Sequence, residues 1–411
     1  MVFKKRTRVD LAKKMLLEHI TPIKRRESVP IKDAVGRVLA EGIVSAIDVP
    51  DHRRAAMDGY AVRADETTGA SPANPVLLRE GIDCVRVHTG SPVPDEMDAV
   101  VMIEDTITPP ASTAKPLPAE GGAVVEIRSA VHPGKHVSMA GEDVCHGDVV
   151  FGSGHPLRGC DIAMLGMIGV SHVQLYARPR VAIIPTGSEL VPMQSEPEIE
   201  TGKIRETNGI MVGLYVEKWG GIPVYRGIVI DDPGLIEKEI LASADCDAII
   251  LCGGTSVGAR DYVPGAIESL GSLLVHGVGL SPGKPAAFGM IDTIGKTGSE
   301  TEAIPVLSLP GYPVACLIAL FEFGRPAILE LARIPLMPDR LMRVRLGAKI
   351  ASKIGYLTYT RVRVTGGVAH PVMTTGAGIL SSVTGSNGFV VIREELEGLD
   401  EGDEVDVVWI E

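Results

Sequence analysis

Leu251-Cys-Gly-Gly-Thr-Ser-Val-Gly-Ala-Arg-Asp-Tyr262 follows the apolar run Asp247-Ala-Ile-Ile-Leu251. The run reads as a parallel strand buried on both faces. Val263 to Leu270 after it can form a helix. A strand, a glycine-rich turn and a helix start make the geometry that holds phosphate. Gly253, Gly254 and Gly258 let the backbone approach a ligand and aim N–H groups at it. Thr255 and Ser256 add hydroxyl donors. Asp261 would repel a phosphate, so an acid in this position points to a divalent cation. Taken singly, an ordinary strand-to-helix turn capped by Ser or Asp has the same pattern.

The surrounding segment alternates strands and helices. Val181–Ile184, Val224–Val229, Ala248–Leu251 and Val306–Leu309 read as strands. Ile210–Trp219, Pro233–Ser243, Pro264–Leu270 and Pro313–Leu331 read as helices. This predicts a doubly wound, mostly parallel α/β domain, which binds ligands beyond the carboxyl ends of its strands. Three further turns belong to it. Pro185-Thr-Gly-Ser-Glu-Leu190 offers Thr186, Gly187 and Ser188 as an anion nest, with Glu189 beside it or serving only as a first-turn helix acid. Leu309-Pro-Gly-Tyr-Pro-Val314 sets Pro310, Gly311 and Pro313 in a rigid turn, or begins a helix at Pro313. Gly279-Leu-Ser-Pro-Gly-Lys-Pro285 presents Lys284 to an oxyanion. Together the turns describe a pocket for a large, multiply anionic ligand. Acids at Glu189, Asp231 and Asp261 would tolerate that ligand through Mg²⁺.

The rest of the chain differs in texture. Asp10 to Ile23 predicts a helix with Leu11, Met15 and Leu16 on one face, and Ile31 to Gly42 a second. From Ile43 to about residue 150, short apolar runs broken by Gly and Pro predict β-structure. They include Ala61–Arg63, Val85–Val87, Ala99–Met102 and Ala123–Val125. Thr108–Gly122 reads as an exposed loop, Lys296–Ala303 as a hairpin tip and Leu157–Val170 as a helix. From Met342 the pattern is again β, giving a small barrel.

The 411 residues exceed one core, so two to four domains are expected. A net charge of −12 with 4% aromatics argues against a nucleic-acid partner. The basic start lacks a signal-peptide core and no apolar run could span a bilayer. Six scattered cysteines without Cys-x-x-Cys fit a reduced, cytoplasmic protein. The histidines show no His-x-x-x-His set within a helix, which argues against zinc.

The motifs occur together in one order. They are Ala56-Met-Asp-Gly-Tyr-Ala61, Thr89-Gly-Ser-Pro92, Gly141-Glu-Asp-Val144, Pro185-Thr-Gly-Ser-Glu-Leu190, Gly253-Gly-Thr-Ser-Val-Gly258 with Asp261-Tyr262, Pro282-Gly-Lys-Pro285 and Leu309-Pro-Gly311 with Pro313. The chain thereby resembles the MoeA family, which includes the gephyrin E domain. The resemblance implies a molybdopterin molybdotransferase. Such an enzyme takes adenylylated molybdopterin and molybdate, uses Mg²⁺, inserts the metal into the dithiolene and releases AMP. It implies an elongated homodimer of four-domain subunits. Residues 1–44 and 145–177 would form a helical domain, 45–144 an inserted β-rich domain, 178–330 the MogA-like α/β domain and 331–411 the barrel. The active site would lie between the α/β domain of one subunit and the inserted domain of the other. That would bring in Asp58, Thr89 and Asp143. The resemblance assigns the Mg²⁺ and phosphate neighbourhood to Glu189, Asp231 and Asp261, and the pterin phosphate to Thr186–Ser188 and Gly253–Ser256. It assigns the molybdate neighbourhood to Lys284, Arg361 and Ser382, with Ser381 as a substitute for Ser382. Three positions depart from the usual pattern. Ser281 stands where many members carry lysine, Tyr312 replaces asparagine, and Glu206-Thr-Asn208 replaces Asp-Ser-Asn. Tungstate preference, an adenylyltransferase of the related MogA type and a non-catalytic scaffold are the other readings. A MogA-type enzyme is also a candidate partner.

Overall fold

The computed structural model of the chain describes residues 6–108, 123–195, 200–254, 262–294 and 301–410. Its contacts divide into two compact units, one of Met1–Glu27, Gly36–Val38 and Leu175–Glu411, the other of Ser28–Val35 and Leu39–Gln174.

The first unit is built on a six-stranded sheet. In chain order its strands are β1 (Arg180–Pro185), β2 (Ile222–Tyr225), β3 (Ala248–Cys252), β4 (Gly271–His276), β5 (Ala287–Ile294) and β6 (Thr301–Leu309). They lie in the order β2-β1-β3-β6-β5-β4. The first four are mutually parallel; β5 runs against both β6 and β4. Every residue of β3 is buried. Side chains alternate between two cores, as the two-residue period of a strand requires. Val181, Ile183 and Ile250 face the core that also holds helices α1 (Val9–Glu18) and α2 (Asn208–Lys218). Ala182, Ile184, Ile249 and Leu251 face α3 (Pro233–Ala242) and α4 (Tyr262–Leu270). Each buried Ile or Leu contributes roughly 1.5–3 kcal/mol.

After β6, Pro313 opens helix α5 (Pro313–Ala319), which continues through a π-helical turn, Leu320–Gly324, into α6 (Arg325–Leu331). The barrel follows. Its strands are β7 (Leu341–Leu346), β8 (Leu357–Thr365), β9 (Val368–Met373), β10 (Gly388–Ile392) and β11 (Glu404–Trp409). The pairings β7–β11, β11–β10, β10–β8, β8–β9 and β9–β7 close the ring. Closure removes the exposed edges that an open sheet would carry. Tyr359, Val383 and Phe389 join the same core as β1 and α5, so barrel and α/β domain share one apolar cluster.

The second unit is β-rich. Gly59–Val62 pairs with both Cys84–Val87 and Ala99–Met102, and Val76–Arg79 pairs with Val124–Ile127. Gly59 has a steric reason: a Cβ there would lie 1.9 Å from the carbonyl oxygen of Val101.

Several expectations need correction. Ile31–Gly42 is not a helix. Only Ile31–Asp33 forms a single 3₁₀ turn, because Gly36 takes φ +77°, which ends a helix. The first helix stops at Glu18 rather than Ile23, and Leu11 is 51% exposed while Val9, Ala12 and Leu16 face the core. The strand at 224–229 ends at Tyr225. The helix expected over Pro313–Leu331 is interrupted by the π turn. The tip of the β5–β6 hairpin lies outside the described residues, as does nearly all of the loop expected over Thr108–Gly122.

Ile250 is 1% exposed in the middle of β3. Ile250→Ala is expected to lower the unfolding free energy by about 2–5 kcal/mol. Leu214→Ala, at a position 64% exposed on α2, should change it by less than about 0.5 kcal/mol. Urea denaturation of both variants checks the pair.

Candidate functional site

The carboxyl ends of β1, β3 and β6 meet backbone to backbone. Thr186 N–H donates to Cys252 O at 3.0 Å, and Gly253 N–H donates to Leu309 O at 3.0 Å. Gly253 takes φ +112°, and a Cβ there would lie 2.3 Å from the Thr186 carbonyl oxygen. Gly254 takes φ +65°, with its Cβ position 2.7 Å from Val263 Cγ2. Both positions therefore require glycine on two counts, conformation and space. Thr186 Oγ1 is buried and has no hydrogen-bond partner among the described residues. A buried hydroxyl is ordinarily hydrogen-bonded, so this one can donate to a group placed at the turn. Gly187 N–H donates to Val229 O, which brings Asp231 to the turn. There Ser188 N–H donates to Asp231 Oδ2 and Asp231 N–H to Ser188 Oγ, both at 3.1 Å. The Glu189 carboxylate folds back over Gly187, 2.9 Å from where a Cβ would sit. Two of the three expected acids thus flank one turn. Thr255, Ser256 and Asp261 lie outside the described residues. Among the described residues no set of three His, Cys, Asp or Glu side chains is placed to hold a metal.

A second feature sits between the α/β domain and the barrel, inside the same unit. A cavity of about 310 Å³ is lined by Ser281–Pro285, Pro310, Tyr312, Ala315, Tyr359, Arg361 and Thr374–Ala377. The loop carrying Lys284 follows β4, which points the same way as β6. Pro313 begins α5, and Val314 N–H donates to Ala377 O, tying the helix start to the barrel. Gly311 O accepts from Asn208 Nδ2 at 2.7 Å. Arg361, on β8, is only 1% exposed. Its Nη2 donates to Thr375 O at 2.7 Å and Gly376 O at 3.1 Å, and its Nε to Ser382 Oγ at 3.3 Å. No carboxylate pairs with it among the described residues. Burial lowers its pKa, the only cause acting on it. A desolvated cation without a counter-charge is expensive, and it is tolerated where an anion is to be bound.

Arg361 and Ser382 are brought together, but in different roles. Ser382 is buried, donates to Ile379 O at 2.6 Å and does not line the cavity. It braces the guanidinium. Ser381 is exposed. The cavity also recruits Tyr359, Thr374 and Thr375, which no sequence motif indicated. Tyr359 OH donates to Glu322 in the π turn, and Glu322 pairs with Lys13 Nζ at 2.6 Å. Burial and Glu322 together push the Tyr359 hydroxyl pKa up. The only sequence signal for this network was an acid inside an otherwise apolar helix, Phe321-Glu-Phe323.

In the second unit, Asp58 and Thr89 meet. Asp58 Oδ1 accepts from Thr89 N–H at 2.7 Å and Thr89 Oγ1 at 3.1 Å. These bonds hold the Asp58 pKa below the usual carboxylate range. His88 Nδ1 lies 3.8 Å from the same oxygen. Asp143 occupies a separate exposed turn, fixed by its N–H to Val49 O at 3.0 Å.

Three family models match successive parts of the chain. Residues 7–169 match the MoeA N-terminal region (domain I and II), 182–330 the "Probable molybdopterin binding domain", and 343–410 the MoeA C-terminal region (domain IV). A candidate molybdopterin biosynthesis protein of Methanocaldococcus jannaschii is 34% identical over 95% of this chain and 94% of its own. A molybdopterin molybdenumtransferase of Haemophilus influenzae is 27% identical over 97% of both chains. The crystal structure of a molybdopterin biosynthesis moeA protein from Pyrococcus horikoshii is 31% identical, with a TM-score of 0.75, over 98% of this chain and all of that one.

Thr89→Val removes one of the two donors to Asp58. The Asp58 pKa is expected to rise part of the way to its ordinary value, since the Thr89 N–H still donates. A carboxylate whose folded pKa is depressed favours the fold above its unfolded pKa and loses that contribution as pH falls through the folded value. The variant should therefore lose it at a higher pH. Carboxyl-carbon NMR titration of wild type and variant reads the shift directly.

Proposed function

The chain belongs to the MoeA family, and we propose that it is the molybdopterin molybdenumtransferase of molybdenum cofactor biosynthesis. In this reading it receives adenylylated molybdopterin, inserts molybdate into the dithiolene and releases AMP. The observation that carries the reading is Arg361, buried without a carboxylate partner among the described residues, in a cavity that Lys284 shares. A tetrahedral dianion needs charge-assisted donors, and guanidinium, ammonium and hydroxyl groups supply them.

The phosphate end of the substrate belongs, in this proposal, at the turns of Thr186–Ser188 and Gly253–Gly254, continuing through Thr255 and Ser256. The Thr186 hydroxyl, unpaired among the described residues, and the positive-φ glycines suit an anion there. Pro310, Gly311 and Pro313 would hold the adjacent wall rigid. Glu189, Asp231 and Asp261 are the carboxylates that would hold Mg²⁺. The residues in view fit it: Glu189 and Asp231 place hard carboxylate oxygens around one turn. Bound there, Mg²⁺ supplies charge neutralisation of the pyrophosphate and polarisation of phosphorus. Arg361, fixed by three internal hydrogen bonds, orients the oxyanion without itself having to reorganise.

Asp58, Thr89 and Asp143 stand on the second unit. We propose that they complete the site across a homodimer, from the subunit opposite. The ionised state that Thr89 enforces on Asp58 suits a role toward the metal or an attacking water. We retain the division into four domains at 1–44 with 145–177, 45–144, 178–330 and 331–411. A cytoplasmic setting is supported by six free cysteines. Among the described residues no helix is long and apolar enough to cross a membrane. The choice between molybdate and tungstate falls to the cavity wall at Ser281 and Tyr312.

The testing experiment incubates the protein with adenylylated molybdopterin, Mg²⁺ and molybdate or tungstate, and follows AMP release and metal incorporation. Both are expected. Tight pterin binding without AMP release would instead indicate a scaffold. Arg361→Met should lower insertion at least about 100-fold by removing a charge-assisted contact to the oxyanion. Its stability should change little, since lost hydrogen bonds are offset by relief from burying a charge. Urea denaturation beside the insertion assay separates the two effects.

A further inference from the structure

The N-terminal arm reaches the oxyanion cavity through one aromatic ring. The arm enters as an added strand position. Thr7 N–H donates to Gly277 O at 3.2 Å, and Gly279 N–H donates to Thr7 O at 2.8 Å. That docking sets Arg6 over the ring of Tyr356, with its guanidinium carbon 4.4 Å from the ring centroid. Lys284 Nζ also lies 4.4 Å from that centroid. Both cations thus lie against the one ring. Tyr356 itself is pinned from both sides. Gly355 N–H donates to Glu394 O and Leu357 N–H to Gly279 O, both at 2.7 Å. The Lys284 backbone is fixed as well, its carbonyl accepting from Val278 N–H at 2.9 Å.

Neither Arg6 nor Lys284 pairs with a carboxylate among the described residues, in a chain whose net charge is −12. With Arg361 they make three cations left uncompensated around one region. Lys284 and Arg361 both line the cavity, and of the two Lys284 is the exposed one. A lysine side chain is flexible, and a solvated one gains nothing by pointing at a cavity. A ring face restrains it by attracting the ammonium without neutralising it, as a carboxylate would.

We propose that Tyr356 is a positioning residue for the oxyanion. It holds the Lys284 ammonium at the cavity wall while Arg6, packed against the same ring, helps fix the ring and adds its positive potential. This deepens the molybdenumtransferase reading and rests on it.

The test is calorimetric titration of the full-length protein with molybdate and with tungstate, comparing single and double variants, with thermal midpoints as the folding control. Lys284→Ala should weaken binding at least about tenfold. Tyr356→Leu should weaken it about three- to tenfold, and Arg6→Ala about two- to threefold, while Tyr356→Phe, which keeps the ring face, should stay within about twofold of wild type. The cycle is decisive: in the Lys284→Ala background, Tyr356→Leu should have no further effect. Wild-type binding that Tyr356→Leu leaves unchanged overturns the positioning role alone. The same outcome follows from an equal loss in both backgrounds or a loss shared by Tyr356→Phe. Wild type that binds neither oxyanion overturns the oxyanion reading on which it rests.

Discussion

The sheet of the α/β domain is buried on both faces, and every strand in its centre must end without exposing backbone. Three strand ends do so by donating to one another, with Thr186 bonded to Cys252 and Gly253 to Leu309. No room remains between them for a side chain at residue 253, where a Cβ would lie 2.3 Å from a carbonyl oxygen. The glycines are therefore a condition of closing the sheet. Their φ values are positive, and beside them the buried Thr186 hydroxyl has no partner among the described residues. The turns that the phosphate reading needs are a by-product of how the core is sealed.

A second constraint is the apolar cluster that the barrel shares with the α/β domain. Phe389 and Tyr359 from the barrel pack edge to face, with ring centroids 5.7 Å apart. Tyr359 is held in turn by Glu322 in the π turn between α5 and α6. Such turns place one residue out of helical register, and here that residue is an acid buried against Lys13. The cavity wall is thus fixed through the core. Arg361 can remain buried, with no counter-charge among the described residues, because the carbonyls of Thr375 and Gly376 and the hydroxyl of Ser382 hold its fork in place.

Much of this was legible in the sequence, for identifiable reasons. The buried strands announced themselves as continuous apolar runs, and the barrel as short β-branched segments between glycines. The loops at 185–190, 279–285 and 309–313 were marked by Pro and Gly in combinations with few conformational alternatives. The misread segments lacked such a marker. Residues 31–42 have helical periodicity, but Gly36 sits where its positive φ stops the turn. Leu11 fits the apolar stripe of α1 by spacing, yet the face that packs is set by its neighbours. Ser382 was expected in the molybdate neighbourhood; that its hydroxyl accepts from Arg361 Nε is set by side-chain direction, which no local pattern encodes.

The sequence by itself determined the element types, the glycine turns and the set of acids and cations available. It did so because backbone conformation and burial are local, periodic properties. The tertiary structure decided which of those groups meet. It joined Asp58 to Thr89, Ser188 to Asp231, and both Arg6 and Lys284 to Tyr356. Those encounters span up to hundreds of residues and depend on strand order and barrel closure. No local pattern encodes them, because the packing energy that selects them is summed over the whole core.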